Sequence, residues 1–262
     1  MRAIWSGTIS FGLVSIPVKL YSATEPRQIE LHNLCNICHT PLEYKRWCPV
    51  CKKEVSWKEV EKGYKVSKDR WIIIKKEELE NIKIPTTKTI EIKEFIDASQ
   101  IDPLYFEKSY YVVPQESGIK PYSLFVEALR LANKVAIGKV IIRNKEYLVA
   151  LRAFKKGIVM HVLYYMNEVR SMDQFSELKN LVVVSKEELE LARTLIKKLA
   201  EHEFEIEKFK DRYTEALEEL IKAKIEGKKM KPMEMGKLEE GQELMEALKT
   251  SIERLPSRKK EQ

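Results

Sequence analysis

The pattern of apolar and polar positions changes its period once along this chain. From Met1 to about Asp173 apolar residues tend to recur at alternate positions, as they do in half-buried strands. The opening stretch sets Ile9, Phe11 and Leu13 against small or polar neighbours. "TIEIKEFI" (Thr89–Ile96) places Ile90, Ile92 and Ile96 at even spacing, and "KVIIRNKEYLVALRAFKKGIVMHVLYY" supplies three β-rich runs. The last two runs meet at "KKG", where Gly157 is free to take a positive φ. "DRWIIIKKEEL" reads as a strand passing into a helical turn. One segment of this half is helical, "KPYSLFVEALRLANK", with Leu124, Ala128, Leu131 and Val135 on one side. Strands surrounding a single helix predict a barrel or strongly curled sheet.

Beyond Val184 the period becomes helical. Ser185 and Glu188 form a capping-box pattern ahead of Leu189, Ala192, Ile196 and Leu199. A second helix is expected to carry Phe209, Tyr213, Leu217, Leu220 and Ile221 and to stop near Gly227. "KKMKPMEMGK" reads as a charged linker, followed by a last helix with Leu244, Leu248, Ile252 and Leu255, closed by Pro256 and a solvated tail. Amphipathic helices with so little else to cover them must bury their stripes on their own core or on a second copy. The expected division is therefore 1–173 for a β core, 174–227 for a helical arm, and 228–262 for linker, last helix and tail.

The chain has 262 residues, enough for one large domain or two small ones. Lys and Arg outnumber Asp and Glu by 47 to 40, giving a net charge of +7. That balance is compatible with a polyanionic partner without requiring one. No apolar run is long enough to span a bilayer, and Ser6, Thr8, Ser10, Ser15 and Pro17 interrupt the N-terminal stretch too early for a secretory signal. The expectation is a cytoplasmic protein with reduced thiols and no membrane partner.

All four cysteines fall in "CNICHTPLEYKRWCPVC", Cys35, Cys38, Cys48 and Cys51. "CNICH" matches the spacing of haem attachment, with His39 as axial ligand, but leaves Cys48 and Cys51 unused. A redox dithiol belongs on a strand-to-helix turn of a βαβ unit, and nothing here reads as one. A structural Zn²⁺ site accounts for all four thiols, because each CxxC turn offers two sulfurs from one knuckle and zinc prefers four soft ligands in a tetrahedron. Around these thiols stand Lys45, Arg46, Lys52, Lys53 and Lys58, interleaved with Tyr44, Trp47 and Trp57. A fastened loop with basic tips presents charge to a phosphate backbone. Solvated charge on a ribbon is the competing reading. No Walker loop, GxGxxG or paired acid/base carboxylates appear, and His32, His39, His161 and His202 fit no triad spacing. An enzyme is not expected.

Several stretches together carry a resemblance: "MRAIWSGTISFGLVSIPVKLYSAT", "KGYKVSKDRWIIIKKEELENI", "TKTIEIKEFIDASQIDPLYFEKSYYVVP", "KPYSLFVEALRLANKVAIGKVIIRNKEYLVAL" and "YYMNEVRSMDQF". In this order, from Met1 to about Gly227, the chain resembles the prokaryotic Ku family. The resemblance implies an α+β fold, a Ku-type β-barrel with a looped-out bridge, here carrying the zinc knuckle over about 32–58, and then a helical arm. It implies a homodimer whose bridges close a ring around double-stranded DNA ends in non-homologous end joining, nucleoid-associated, recruiting an ATP-dependent DNA ligase. The cysteines depart from the family's commonest pattern and would stiffen the bridge.

On that resemblance the phosphate contacts would be Lys45, Arg46, Lys52 and Lys53 in the bridge, and Arg143 and Lys145 in "IIRNKEY". For each one an ordinary surface charge is the competing reading. The arm's Leu189, Ile196, Leu199, Phe209, Tyr213 and Leu217 would form the dimer contact or else pack within one subunit. The rival function is a zinc-ribbon protein–protein adaptor that threads no DNA.

Overall fold

A computed structural model of the chain describes residues 1–26, 29–68, 70–82, 88–143, 145–228 and 244–254. Two compact units emerge, Met1–Arg27 with Leu31–Ser171, and Gln28–Glu30 with Met172–Gln262.

The first unit is built on a closed barrel of seven strands. In chain order these are β1 (Trp5–Phe11), β2 (Val14–Ser22), β7 (Thr89–Ile96), β8 (Phe106–Pro114), β9 (Val135–Ile142), β10 (Lys145–Phe154) and β11 (Gly157–Leu163). Around the barrel they run β1, β2, β8, β11, β10, β9, β7. Every neighbouring pair is antiparallel except β1 and β7, which close the barrel in parallel through Thr8, Ile9 and Ser10 against Thr89, Ile90 and Glu91. Inward positions alternate as a pleated strand requires. Ile9, Ile16, Val18, Leu20, Ile90, Val112, Val140, Val149, Leu151, Ile158, Met160 and Val162 fill one buried cluster.

Two expected alternations break, each for a visible reason. Leu13 sits in the turn between β1 and β2 beside Gly12 at φ 56, so it points into solvent rather than continuing the stripe of Ile9 and Phe11. In β7 the register shifts between Ile92 and Glu94. A bulge inverts the parity of everything beyond it. Ile90 and Ile92 therefore face the interior, whereas Ile96 joins a second cluster with Val135, Ile137, Ala150 and Leu163.

Helix α2 (Ile119–Ala132) packs on β10, β2 and β11 and ends on Asn133 in the left-handed conformation at φ 49. Its buried face is Tyr122, Phe125, Val126 and Leu129. This corrects the expected stripe. Leu124 is 71% exposed, Leu131 is 86% exposed, and Val135 belongs to β9. Apolar residues encircle this helix, and the face bearing the two aromatic rings offers the larger apolar area to the barrel.

The glycine expectation at the β10–β11 turn is also corrected. Lys155 carries the positive φ there, at 48°, and Gly157 does not. Space favours Gly157 instead, since a Cβ there would lie 3.0 Å from the Tyr122 hydroxyl, tighter than an ordinary contact. That hydroxyl is held on both sides, donating to the Val112 carbonyl (2.6 Å) and accepting from the Ile158 N–H (2.9 Å).

Between β2 and β7 the chain leaves the barrel as a ribbon of two small hairpins. The first pairs β3 (Trp47–Cys48) with β4 (Lys53–Glu54), and the second pairs β5 (Lys62–Ser67) with β6 (Arg70–Ile74). Helix α1 (Lys76–Asn81) follows directly.

The second unit holds α3 (Lys186–Leu199), α4 (Arg212–Ile225) and α5 (Leu244–Arg254). The capping box at the start of α3 is present: Ser185 Oγ accepts from the Glu188 N–H at 3.2 Å, and the Glu188 carboxylate accepts from the Ser185 N–H at 2.7 Å. Helix α4 starts later than the spacing suggested. Asp211 caps it by accepting from the N–H groups of Tyr213 and Thr214, so Phe209 precedes the helix. Gly227, at φ 71, follows its end. Beyond Lys228 the expected linker lies outside the described residues, as do Leu255, Pro256 and the basic tail.

Candidate nucleic-acid interface

The two CxxC pairs are held by different hydrogen bonds and share one backbone feature. In the first, the Cys35 N–H donates to the Thr40 carbonyl at 2.9 Å, the His39 N–H donates to the Cys35 carbonyl at 2.8 Å, and Leu34 bridges Pro41. In the second, the Cys51 N–H donates to Cys48 Sγ at 3.4 Å, inside the β3–β4 hairpin. Each pair is followed by a residue in the left-handed region, His39 at φ 58 and Lys52 at φ 49. Such a conformation strains a non-glycine residue, and its repetition at matching positions marks two knuckles of the same design.

Hydrogen bonds lower the titration of one thiol in each pair. The Thr40 hydroxyl and N–H bring the Cys38 thiol down to about 7, and the Cys51 N–H lowers Cys48. Cys51 is raised in turn by its bond to Cys48 and by the neighbouring charge there. The sulfurs associate two by two: among the described residues no three His, Cys, Asp or Glu side chains converge on one point. Each CxxC turn presents two free thiols, one exposed and one half-buried, and the structure does not bring the two turns onto a common point among the described residues.

The expected basic contacts fall into two groups by what already holds them. Lys45 pairs with Glu54 at 3.5 Å, Lys53 with Glu59 at 3.1 Å and Lys145 with Glu168 at 3.5 Å. Glu59 also accepts from the Ser56 N–H at 3.0 Å, and these bonds hold its carboxyl down at about 2. Arg46 is fixed without a carboxylate, its Nε donating to the Val55 carbonyl and its guanidinium lying 4.4 Å from the Trp57 ring centroid. Lys52 and Arg143 have no ion-pair partner among the described residues, and Arg143 sits at φ 51 in the β9–β10 turn. The ribbon brings Lys45, Arg46, Lys52 and Lys53 together on one hairpin, while Arg143 and Lys145 lie apart in the barrel turn.

The β5–β6 hairpin adds a group that charge counting along the chain did not single out. Lys62, Lys65, Lys68 and Arg70 are exposed there and pair with no carboxylate among the described residues. Tyr64 and Trp71 stand among them, with Lys65 Nζ 5.7 Å from the Trp71 ring centroid. The signal was available as basic residues three apart in "KGYKVSK" feeding a strand that begins at Arg70.

Against known families, residues 10–191 match the model of the Ku70/Ku80 beta-barrel domain, which spans barrel, ribbon and the start of the arm. The chain belongs to the Ku family. A protein of Heliobacterium modesticaldum named "Non-homologous end joining protein Ku" is 39% identical over the whole chain and 95% of its own length. Proteins of the same name from Archaeoglobus fulgidus (41% identical, 97% of this chain and 99% of theirs) and Bacillus subtilis (39%, 97% and 82%) are similarly close. This Ku chain spans 82–99% of the length of these three relatives. Among its described residues no helix is long and apolar enough to cross a membrane.

In the arm of this Ku chain Leu189, Ile196 and Leu199 lie on α3, and Tyr213 and Leu217 on α4. Leu189, Ile196, Leu199, Phe209 and Tyr213 are 49–74% exposed, and Leu217 is half-buried. Helix α3 packs on α5, where Lys198 Nζ donates to the Ile252 carbonyl at 3.0 Å. The run Leu181–Val184 is also exposed.

Proposed function

We propose that this Ku chain binds double-stranded DNA ends without reading their sequence, as a homodimer whose ribbons close a ring, in non-homologous end joining. The observation that carries this reading is the ribbon. It projects from the barrel as two-stranded pieces with no core of their own, and it bears exposed cations interleaved with Tyr64, Trp57 and Trp71. An isolated two-stranded hairpin is marginal in water, so such a ribbon needs something to lie against. Phosphates suit its charge, and contacts to phosphate and sugar carry no sequence information. Exposed ion pairs such as Lys45–Glu54 contribute little, so phosphate can displace the carboxylate readily.

The arm supplies the second copy. Apolar residues left in solvent on one unit mark an interaction surface, and Leu189, Ile196, Leu199, Phe209 and Tyr213 fit a partner subunit. A structural Zn²⁺ held by Cys35, Cys38, Cys48 and Cys51 would tie the two knuckles and stiffen the ribbon root. The chain acts by binding and by recruiting an ATP-dependent DNA ligase, without catalysis of its own.

The deciding experiment compares a linear duplex with a covalently closed circle of the same sequence. The linear form is bound and the circle is not, because a closed ring is entered only at an end. Equal binding of both removes threading, and binding of neither leaves a protein–protein adaptor.

A further inference from the structure

One corner of the barrel carries an open cavity that the DNA-binding proposal does not use. Where β8 and β11 meet the start of α2, the Tyr122 hydroxyl stands between the strands and takes both the Val112 carbonyl and the Ile158 N–H. Outside this wedge lies a cavity of about 560 Å³, a size ordinary for a ligand site. Tyr111, Val113, Phe154 and Val159 give it apolar walls, Ser123 stands at one side, and Lys155 and Lys156 lie along the β10–β11 turn. No carboxylate lines it. Tyr111, Val113 and Phe154 remain 37–41% exposed, so the apolar wall is wet.

The charge around this cavity is one-sided. Lys155 Nζ lies 5.7 Å from the Phe154 ring centroid, and neither Lys155 nor Lys156 has an ion-pair partner among the described residues. The Arg152 guanidinium is 5.1 Å from the same ring, with its Nε bonded to His161 Nε2 at 3.0 Å. A smaller cavity beside it, lined by Arg130, Lys134, Arg152 and Lys155, extends the positive field. Glu127 on Arg130 and Asp97 on Lys134 answer only part of that charge.

We infer that this corner docks an acidic segment of a partner protein, anchored by one aromatic or large aliphatic side chain in the cavity. Apolar walls need an apolar guest, since an anion alone would leave Tyr111, Val113 and Phe154 in water. The lysine rim selects carboxylates beside the anchor, as complementary charge does at interfaces. A phosphate backbone satisfies the rim and wastes the cavity.

Random dodecapeptides displayed on phage and selected on the immobilised full chain test this. The enriched sequences carry an aromatic or leucine anchor flanked by Asp or Glu. One of them, labelled with fluorescein, binds saturably by anisotropy. Lys155→Glu/Lys156→Glu and, separately, Ser123→Trp, which fills the cavity, each weaken it at least tenfold. Both variants keep wild-type melting temperature and DNA-end binding, and linear duplex does not displace the peptide. Absence of enrichment overturns the inference, as do a consensus without acids, unchanged binding in either variant, displacement by duplex, or loss of DNA-end binding in the variants. Failure of the wild-type chain to bind linear DNA would instead count against the end-binding proposal and leave the peptide result standing.

Discussion

The salt dependence of DNA binding separates cations that are free to meet phosphate from cations that must first leave a carboxylate. Lys62 and Arg70 on the β5–β6 hairpin pair with no carboxylate among the described residues. Lys45 and Lys53 are held by Glu54 at 3.5 Å and Glu59 at 3.1 Å. In a ring of two copies, Lys62→Ala/Arg70→Ala removes four positive charges. Each phosphate contact contributes about 0.9 to the slope of log affinity against log salt, so the double variant loses about 3 to 4 units of slope. Between 50 and 200 mM salt, a fourfold rise, the wild-type affinity should then fall about a hundredfold further than the variant's. Lys45→Ala/Lys53→Ala should flatten the slope by less, because each of these lysines divides its time between its own carboxylate and a phosphate, a weak competition that exposed ion pairs allow. Fluorescence anisotropy on a short linear duplex over that salt range measures both. A wild-type slope in Lys62→Ala/Arg70→Ala, or a larger loss in Lys45→Ala/Lys53→Ala, refutes the reasoning.

Three further outcomes follow from the geometry. Tyr122→Phe strips the hydroxyl from two buried backbone groups and should destabilise the barrel by about 2–4 kcal/mol; an unchanged urea midpoint contradicts this. Purified protein should contain one zinc per chain by elemental analysis, lost in Cys48→Ser; well-folded metal-free wild type rules the metal out. A chain stopped before Ser185 should sediment as a monomer while keeping its barrel; a dimer would move the contact elsewhere.

The barrel was legible where alternation is local and illegible where closure is long-range. Ile9 with Phe11, and Ile90 with Ile92, read correctly because period two survives in each strand by itself. The parallel pairing of Thr8 with Thr89 has no local mark, since residues about 80 apart in the chain meet only through the whole fold. Helix α2 was misread on its face, not in its existence: two apolar stripes at helical spacing coexist, and only the barrel chooses the one with Tyr122 and Phe125. At the β10–β11 turn the glycine was noticed for the wrong property. Its missing side chain matters because Tyr122 arrives from 35 positions upstream, and no turn rule contains that contact.

The candidate site was partly legible for a related reason. Cysteine spacing is a local signal, and the matched left-handed residues His39 and Lys52 show that each knuckle is written into its own few residues. Individual cations are different, because a lysine's availability depends on which carboxylate lies opposite. Glu54 and Glu59 restrain Lys45 and Lys53, whereas the β5–β6 hairpin offers its cations no such partner among the described residues. The same hairpin also exposes Trp71, Ile72 and Ile73, a run that strand propensity favours and solvent does not. A segment whose backbone pairs but whose apolar side chains stay wet is stable only when something covers it. In this chain the ribbon and the arm both carry that deficit, which is the physical reason to expect a second copy over the arm and, once the ring is closed, a duplex end against the ribbon.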